Sequence, residues 1–112
     1  MPALALLWPR RVKVAGDSMR PTFEPGDRLL VGPLLRIRPG QIVAVADPRE
    51  PRRLLVKRVQ AVSADGSLVD VRGDNPSSST DSRVFGPVAR STVVGRVLYR
   101  YAPRARVSRI SH

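Results

Sequence analysis

Eleven prolines are spread through this chain of 112 residues, and that spacing argues against any long helix. An interior proline removes a backbone hydrogen bond and clashes with the preceding turn. What lies between the prolines is short and rich in valine and leucine: residues 11–15, 28–31, 41–46, 54–62, 68–72 and 92–101 read as β-strands. Turn-forming clusters separate them, namely Pro25-Gly26-Asp27, Pro39-Gly40, Asp47-Pro48-Arg49-Glu50-Pro51, Asp65-Gly66-Ser67 and Gly73-Asp74-Asn75-Pro76. No segment reads as a convincing helix, and no internal repeat is visible. The length suits one domain with one modest core. The expected fold is therefore mainly β, a compact, twisted and mostly antiparallel domain.

Composition narrows the chemistry. There is no cysteine, and the sole histidine is His112, so the chain offers no thiolate nucleophile and no ligand set for a transition metal. No metal and no cofactor is expected. The net charge of +11 raises the question of a polyanionic partner. Its arginines are dispersed, however, and aromatic residues for base stacking are scarce, so nucleic acid is not the expected partner. A noncatalytic basic module for an anionic membrane or nucleic acid remains the alternative from another class. The apolar run from Ala3 to Trp8 is far shorter than the roughly 20 residues of a membrane span, and its basic residues follow it, unlike those of a signal peptide. The expectation is a cytoplasmic protein with at most peripheral membrane association. Arg104, Arg106 and Arg109 fall in a tail after Pro103 that lacks apolar periodicity and reads as mobile.

Among 20 basic residues only Lys13 and Lys57 are lysines. Ser18 lies in Val14-Ala15-Gly16-Asp17-Ser18-Met19-Arg20-Pro21-Thr22, after a short strand and before a turn, where a hydroxyl is exposed and the backbone N–H is free to face an oxyanion. Were Ser18 a nucleophile it would need a base, and arginine cannot give up its proton. Lys57 is the credible base. Strand alternation puts Leu55, Lys57, Val59 and Ala61 on one face, with Arg58 on the other. Apolar surroundings would lower the amine's pKa toward a usable value. The alternative is a lysine that snorkels from the sheet edge into water, and a lone loop serine is more often structural than catalytic.

Four segments in order resemble peptidase family S26, the signal peptidase I family. The Ser18 segment is similar to its nucleophile box, and Pro25-Gly26-Asp27-Arg28-Leu29-Leu30-Val31 to the strand box that follows. Leu55-Val56-Lys57-Arg58-Val59 is similar to the lysine box, and Gly73-Asp74-Asn75 through Ser79-Thr80-Asp81-Ser82-Arg83 to the last box. The resemblance covers residues 11–96 and implies a coiled antiparallel β domain of the LexA and signal peptidase type. It implies a serine endopeptidase with a Ser/Lys dyad: Ser18 as nucleophile and backbone oxyanion donor, Lys57 as general base, Ser79 as the hydroxyl that orients the lysine. Asp81 and Arg83 resemble a structural ion pair beside the site, where Gly73, Asp74 and Asn75 also fall. On this basis residues 1–10 are an N-terminal segment, 11–101 the catalytic domain and 102–112 a basic tail.

The chain departs from the family in three ways. No membrane anchor is visible, Gly16 stands where many members have an oxyanion-hole serine, and residues 47–53 and the turn at Asp65-Gly66 lack the usual insertions. This small format resembles the maturation proteases of nickel-type superoxide dismutase, which implies a precursor with an N-terminal extension as substrate and any nickel as the substrate's own. Signal-peptidase-like processing of secretory precursors is the enzymatic alternative.

Overall fold

In a computed structural model, which describes residues 10–110, eight strands form one antiparallel sheet. They are β1 (Arg10–Lys13), β2 (Arg28–Gly32), β3 (Ile42–Asp47), β4 (Glu50–Val62), β5 (Leu68–Arg72), β6 (Val88–Ala89), β7 (Val93–Ala102) and β8 (Ser108–Arg109). The spatial order is β1-β2-β7-β3-β4-β5-β6, with β8 also paired to β7. The mainly β, antiparallel expectation is met. The apolar run at residues 3–8 and His112 lie outside the described residues.

Period-two alternation in the central strands builds the interior. On β3, Ile42 and Ala44 face one apolar cluster with Met19, Phe23, Leu29 and Val97, whereas Val43 and Val45 face a second with Val59, Val69 and Val71. A strand flanked by apolar clusters on both faces loses its polar alternation, which explains the unbroken run Ile42-Val43-Ala44-Val45.

Three differences from the sequence reading have local causes. First, β4 begins at Glu50 and not at residue 54, because Asp47 and Glu50 pair across the two-residue turn Pro48-Arg49, with a register shift beside them. Pro51 is accommodated there because β5 covers only residues 58–62 of β4, and proline is tolerated where no ladder bond is required. Second, Ala61 is exposed, although alternation from Lys57 would bury it. A register shift between Val59 and Ala61 leaves Gln60 as an extra residue and reverses the faces. Third, residues 103–110 are folded back on the sheet. Ser108 pairs with Arg100, and Arg109 with Tyr99, while Arg100 and Arg106 both bind the buried carboxylate of Asp27. The basic tail is thus held by ion pairs, strand pairing and the single apolar contact of Ile110 with the first cluster, too little apolar pattern for periodicity to reveal it. One α-helical turn also forms, α1 (Ser82–Phe85), capped by the Asp81 side chain, which accepts the Arg83 backbone N–H, together with three short 3-10 turns at Pro76–Ser78, Arg90–Thr92 and Arg104–Arg106.

Candidate active site

The β1–β2 connection carries Ser18 at a tight turn. Gly16 has φ of 77°, a left-handed conformation that favours glycine, so the chain reverses just before the serine. Met19 and Phe23 anchor the loop in the first apolar cluster, and the Phe23 N–H donates to the Met19 carbonyl at 2.9 Å. Ser18 itself is half-buried, and its N–H donates to no described residue.

Lys57 sits opposite Val43 on the face of the second cluster and is 2% exposed. Arg58 points the other way, to the Gly40 carbonyl and the Asp74 carboxylate, each at 2.8 Å. The alternation of residues 55–59 is therefore as expected, and snorkelling is excluded by the burial.

Around the amine the hydrogen bonds have a defined polarity. Ser79 Oγ donates to Asp81 Oδ2 at 2.6 Å, which leaves its lone pairs to accept from Lys57 Nζ at 2.9 Å. Burial is the main influence lowering the Lys57 pKa; the Asp81 charge opposes it, and the guanidiniums of Arg49 and Arg83 reinforce it. Asp81 is fully buried. Burial alone would raise its pKa, but hydrogen bonds from Arg83, Ser79 and the Gly73 N–H hold it well below the usual carboxylate range. Arg83 pairs with it at 2.5 Å. The buried carboxylate thus stays charged and fixes the Ser79 hydroxyl rather than taking a proton from the lysine.

Gly73-Asp74-Asn75, at the end of β5, joins the serine loop to this cluster. The Asn75 N–H donates to the Ser18 carbonyl at 2.8 Å, and its side-chain amide to the Asp17 carbonyl at 3.0 Å. Asp74 accepts from Thr22 Oγ1 at 2.5 Å and pairs with Arg58 at 2.8 Å. A Cβ on Gly73 would lie 2.3 Å from Ser79 Oγ and 2.6 Å from the Ser18 carbonyl oxygen, so only glycine lets both segments approach.

Ser18 and Lys57 line the same two concavities. One, of about 300 Å³, runs between Val14-Ala15 and Arg53–Val56 with a largely aliphatic wall. The other, of about 220 Å³, is more polar and includes Arg49, Arg53, Ser78 and Thr80. Of the eight residues singled out from the sequence, Ser18 and Lys57 line these concavities; Ser79, Asp81 and Arg83 form the hydrogen-bonded cluster behind the lysine amine, and Gly73, Asp74 and Asn75 lie between that cluster and the serine loop. The residues missed were Asp47, Arg49 and Arg53: Asp47 is 2% exposed and binds Arg49 at 3.0 Å and Arg53 at 3.8 Å. Read as a loop, they carried no strand signal; the buried aspartate opposite two arginines appears only once β3 and β4 are paired.

Among the described residues no cluster of three or more potential metal ligands exists, and no helix is long and apolar enough to cross a membrane.

Residues 11–98 match the Peptidase S24-like family. The chain is 36% identical to the mitochondrial ATP-independent inner membrane protease subunit 1a of Arabidopsis thaliana, over 80% of this chain and 68% of that protein. It is 30% identical to the human mitochondrial inner membrane protease subunit 1, over 82% and 69% respectively. Subunit 2 of the same protease from Schizosaccharomyces pombe is 31% identical over 88% and 68%. With most of its length matched, and a buried lysine and a turn-borne serine on one cavity, this chain belongs to the Peptidase S24-like family.

Proposed function

We propose that the protein is a serine endopeptidase in which Ser18 is the nucleophile and Lys57 the general base. The observation that carries this reading is the buried Lys57 amine, hydrogen-bonded to Ser79 at 2.9 Å, on the wall of the cavity that Ser18 also lines. With Ser79 accepting one amine N–H, the lone pair of neutral Lys57 is available to Ser18. Lys57 takes the hydroxyl proton as Ser18 Oγ adds to the scissile carbonyl, and the unused Ser18 N–H faces the developing oxyanion. Lys57 returns the proton to the departing amine, leaving an acyl-enzyme. It then deprotonates the water that releases the acyl group and restores the Ser18 hydroxyl.

Activity should rise with pH through an apparent pKa below the ordinary lysine value of about 10.4, because burial disfavours the ammonium form and only the amine accepts a proton. A pH–rate profile on a cleavable peptide checks this. A rate that climbs to the ordinary lysine value would mean a solvated base. Ser79→Ala should lower the rate without abolishing it and displace the profile, whereas Ser77→Ala, on the exposed neighbouring turn, should do neither.

For the substrate we infer a precursor protein with an N-terminal extension. Two precursors fit. A nickel superoxide dismutase with its propeptide is suggested by the small format of the domain. A presequence presented at a membrane is favoured by the relatives, which are named as inner membrane protease subunits. Both purified precursors, incubated with wild-type protein and Ser18→Ala in moderate salt, separate the readings. Processing of the dismutase alone supports the maturation protease. Processing of the secretory precursor alone overturns it in favour of signal-peptidase-like cleavage, and cleavage of neither with any accessible peptide overturns the endopeptidase reading.

A further inference from the structure

Away from the Ser18 cavities, the segment joining β2 to β3 forms a cationic concavity of about 440 Å³ whose walls include Arg36, Arg38 and Arg96. The segment is pinned from within. Leu34 and Ile37 pack on the second apolar cluster. The buried Gln41 side chain accepts the Arg38 N–H at 2.8 Å and donates to the Arg36 carbonyl at 3.2 Å. Arg90 donates to the Leu35 carbonyl at 3.3 Å. So fixed, the loop turns Leu35 outward, where it is 92% exposed.

Its charges also lack the carboxylate partners that several arginines elsewhere have. Arg58, Arg72, Arg83, Arg100 and Arg106 each face a carboxylate. Arg36, Arg38 and Arg96 have no ion-pair partner among the described residues, and Arg96 Nε is buried with no hydrogen-bond acceptor. In a concavity walled by three guanidiniums without carboxylate partners, the fitting occupant is an anion, and phosphate oxygens suit the accessible guanidinium forks. A leucine held out beside that concavity is unfavourable in water and favourable in an acyl layer.

We propose that the 33–41 loop is a docking surface for an anionic lipid bilayer, with a headgroup phosphate received by Arg36, Arg38 and Arg96 and Leu35 inserted beside it. Pairing one apolar anchor with basic residues is how a surface gains attachment that neither supplies alone. The diffuse +11 charge thereby acquires a specific point of contact, separate from the residues that line the Ser18 cavities.

The test is co-sedimentation with vesicles of phosphatidylcholine alone and of phosphatidylcholine mixed with phosphatidylglycerol, in moderate salt. Wild-type protein should bind the mixed vesicles and not the neutral ones. Leu35→Asp and the double variant Arg36→Gln/Arg38→Gln should each lower the partition coefficient at least about fivefold. Arg104→Gln/Arg109→Gln, which removes the same charge from exposed positions elsewhere, should change it less than about twofold. Melting temperatures of all variants should match wild type, since none of these side chains is buried. Equal losses in the two double variants would mean that diffuse charge does the binding and would overturn the proposal. So would wild-type binding to neither vesicle. Displacement by inorganic phosphate beyond that by chloride at equal ionic strength, with Leu35→Asp binding like wild type, would assign the concavity to a free phosphate instead.

Discussion

Lys57→Arg should be inactive, although it keeps the positive charge and nearly the length of the side chain. The guanidinium has no accessible neutral form, so it cannot accept the Ser18 proton. Lys57→Met, which removes the buried amine and leaves a chain of similar volume, should be equally inactive while retaining a cooperative melt. Ser18→Ala should match both, because residues that act as one unit are lost together when any of them is removed. The expected loss for each is at least about three orders of magnitude in kcat/KM, the scale seen when a nucleophile or its base is removed from a serine protease. Single-turnover cleavage of a purified precursor measures it, and a Lys57→Arg enzyme working at near wild-type rate would remove the lysine from the mechanism. Retained function in Ser18→Ala, with sensitivity to neutralised surface arginines, would instead mark a binding module.

Gly73→Ala carries the second large effect, at a position that bears no reactive group. Its new Cβ would meet Ser79 Oγ at 2.3 Å and the Ser18 carbonyl oxygen at 2.6 Å. Rotating the hydroxyl does not relieve the contact, because Ser79 Cβ also lies at 2.7 Å, and the carbonyl belongs to the backbone of the Ser18 loop and moves only if that loop moves. Overpacking of this kind costs about 1–3 kcal/mol, so the domain should still fold with a lowered melting temperature. Displacement of Ser18 by about 1 Å is enough to lose about 100-fold in rate. The Michaelis constant should change much less than kcat, since the aliphatic wall that would hold the substrate is elsewhere. Wild-type activity in Gly73→Ala would show that the two segments do not need this close approach.

How much of this was legible from the residues differs between fold and site. The β character followed from proline spacing and valine-rich runs, because both act locally. The extra residue at Gln60, the short β6 and the pairing of β8 were not legible: they arise from register and from ion pairs between residues far apart in the chain. Arg106 reaches Asp27, and no window of sequence contains both. For the site, elimination pointed only to Lys57, there being few side chains able to act as a base, whereas Ser18, one of ten serines, was singled out by its turn and by the resemblance. Ser79, Asp81 and Arg83 were carried by resemblance alone. What the residues could not convey is polarity: that the Ser79 hydroxyl donates to Asp81 and therefore must accept from Lys57 depends on a carboxylate kept ionised by burial among donors.

The joining of Gly73-Asp74-Asn75 to the serine loop also bears on when the protein becomes dangerous to others. Ser18, Lys57 and Ser79 arise from the first, middle and last thirds of the chain, and they meet only after β5 has paired with β4 and its end has gripped the Ser18 and Asp17 carbonyls. Contacts between such distant residues form late, once loop closure has been overcome. On the proposed mechanism, a chain still being synthesised therefore holds Ser18 on an untethered loop without Lys57 and Ser79 in place beside it. If that mechanism holds, the fold itself withholds hydrolytic power from incomplete forms, and nascent neighbours are spared with no inhibitory segment required.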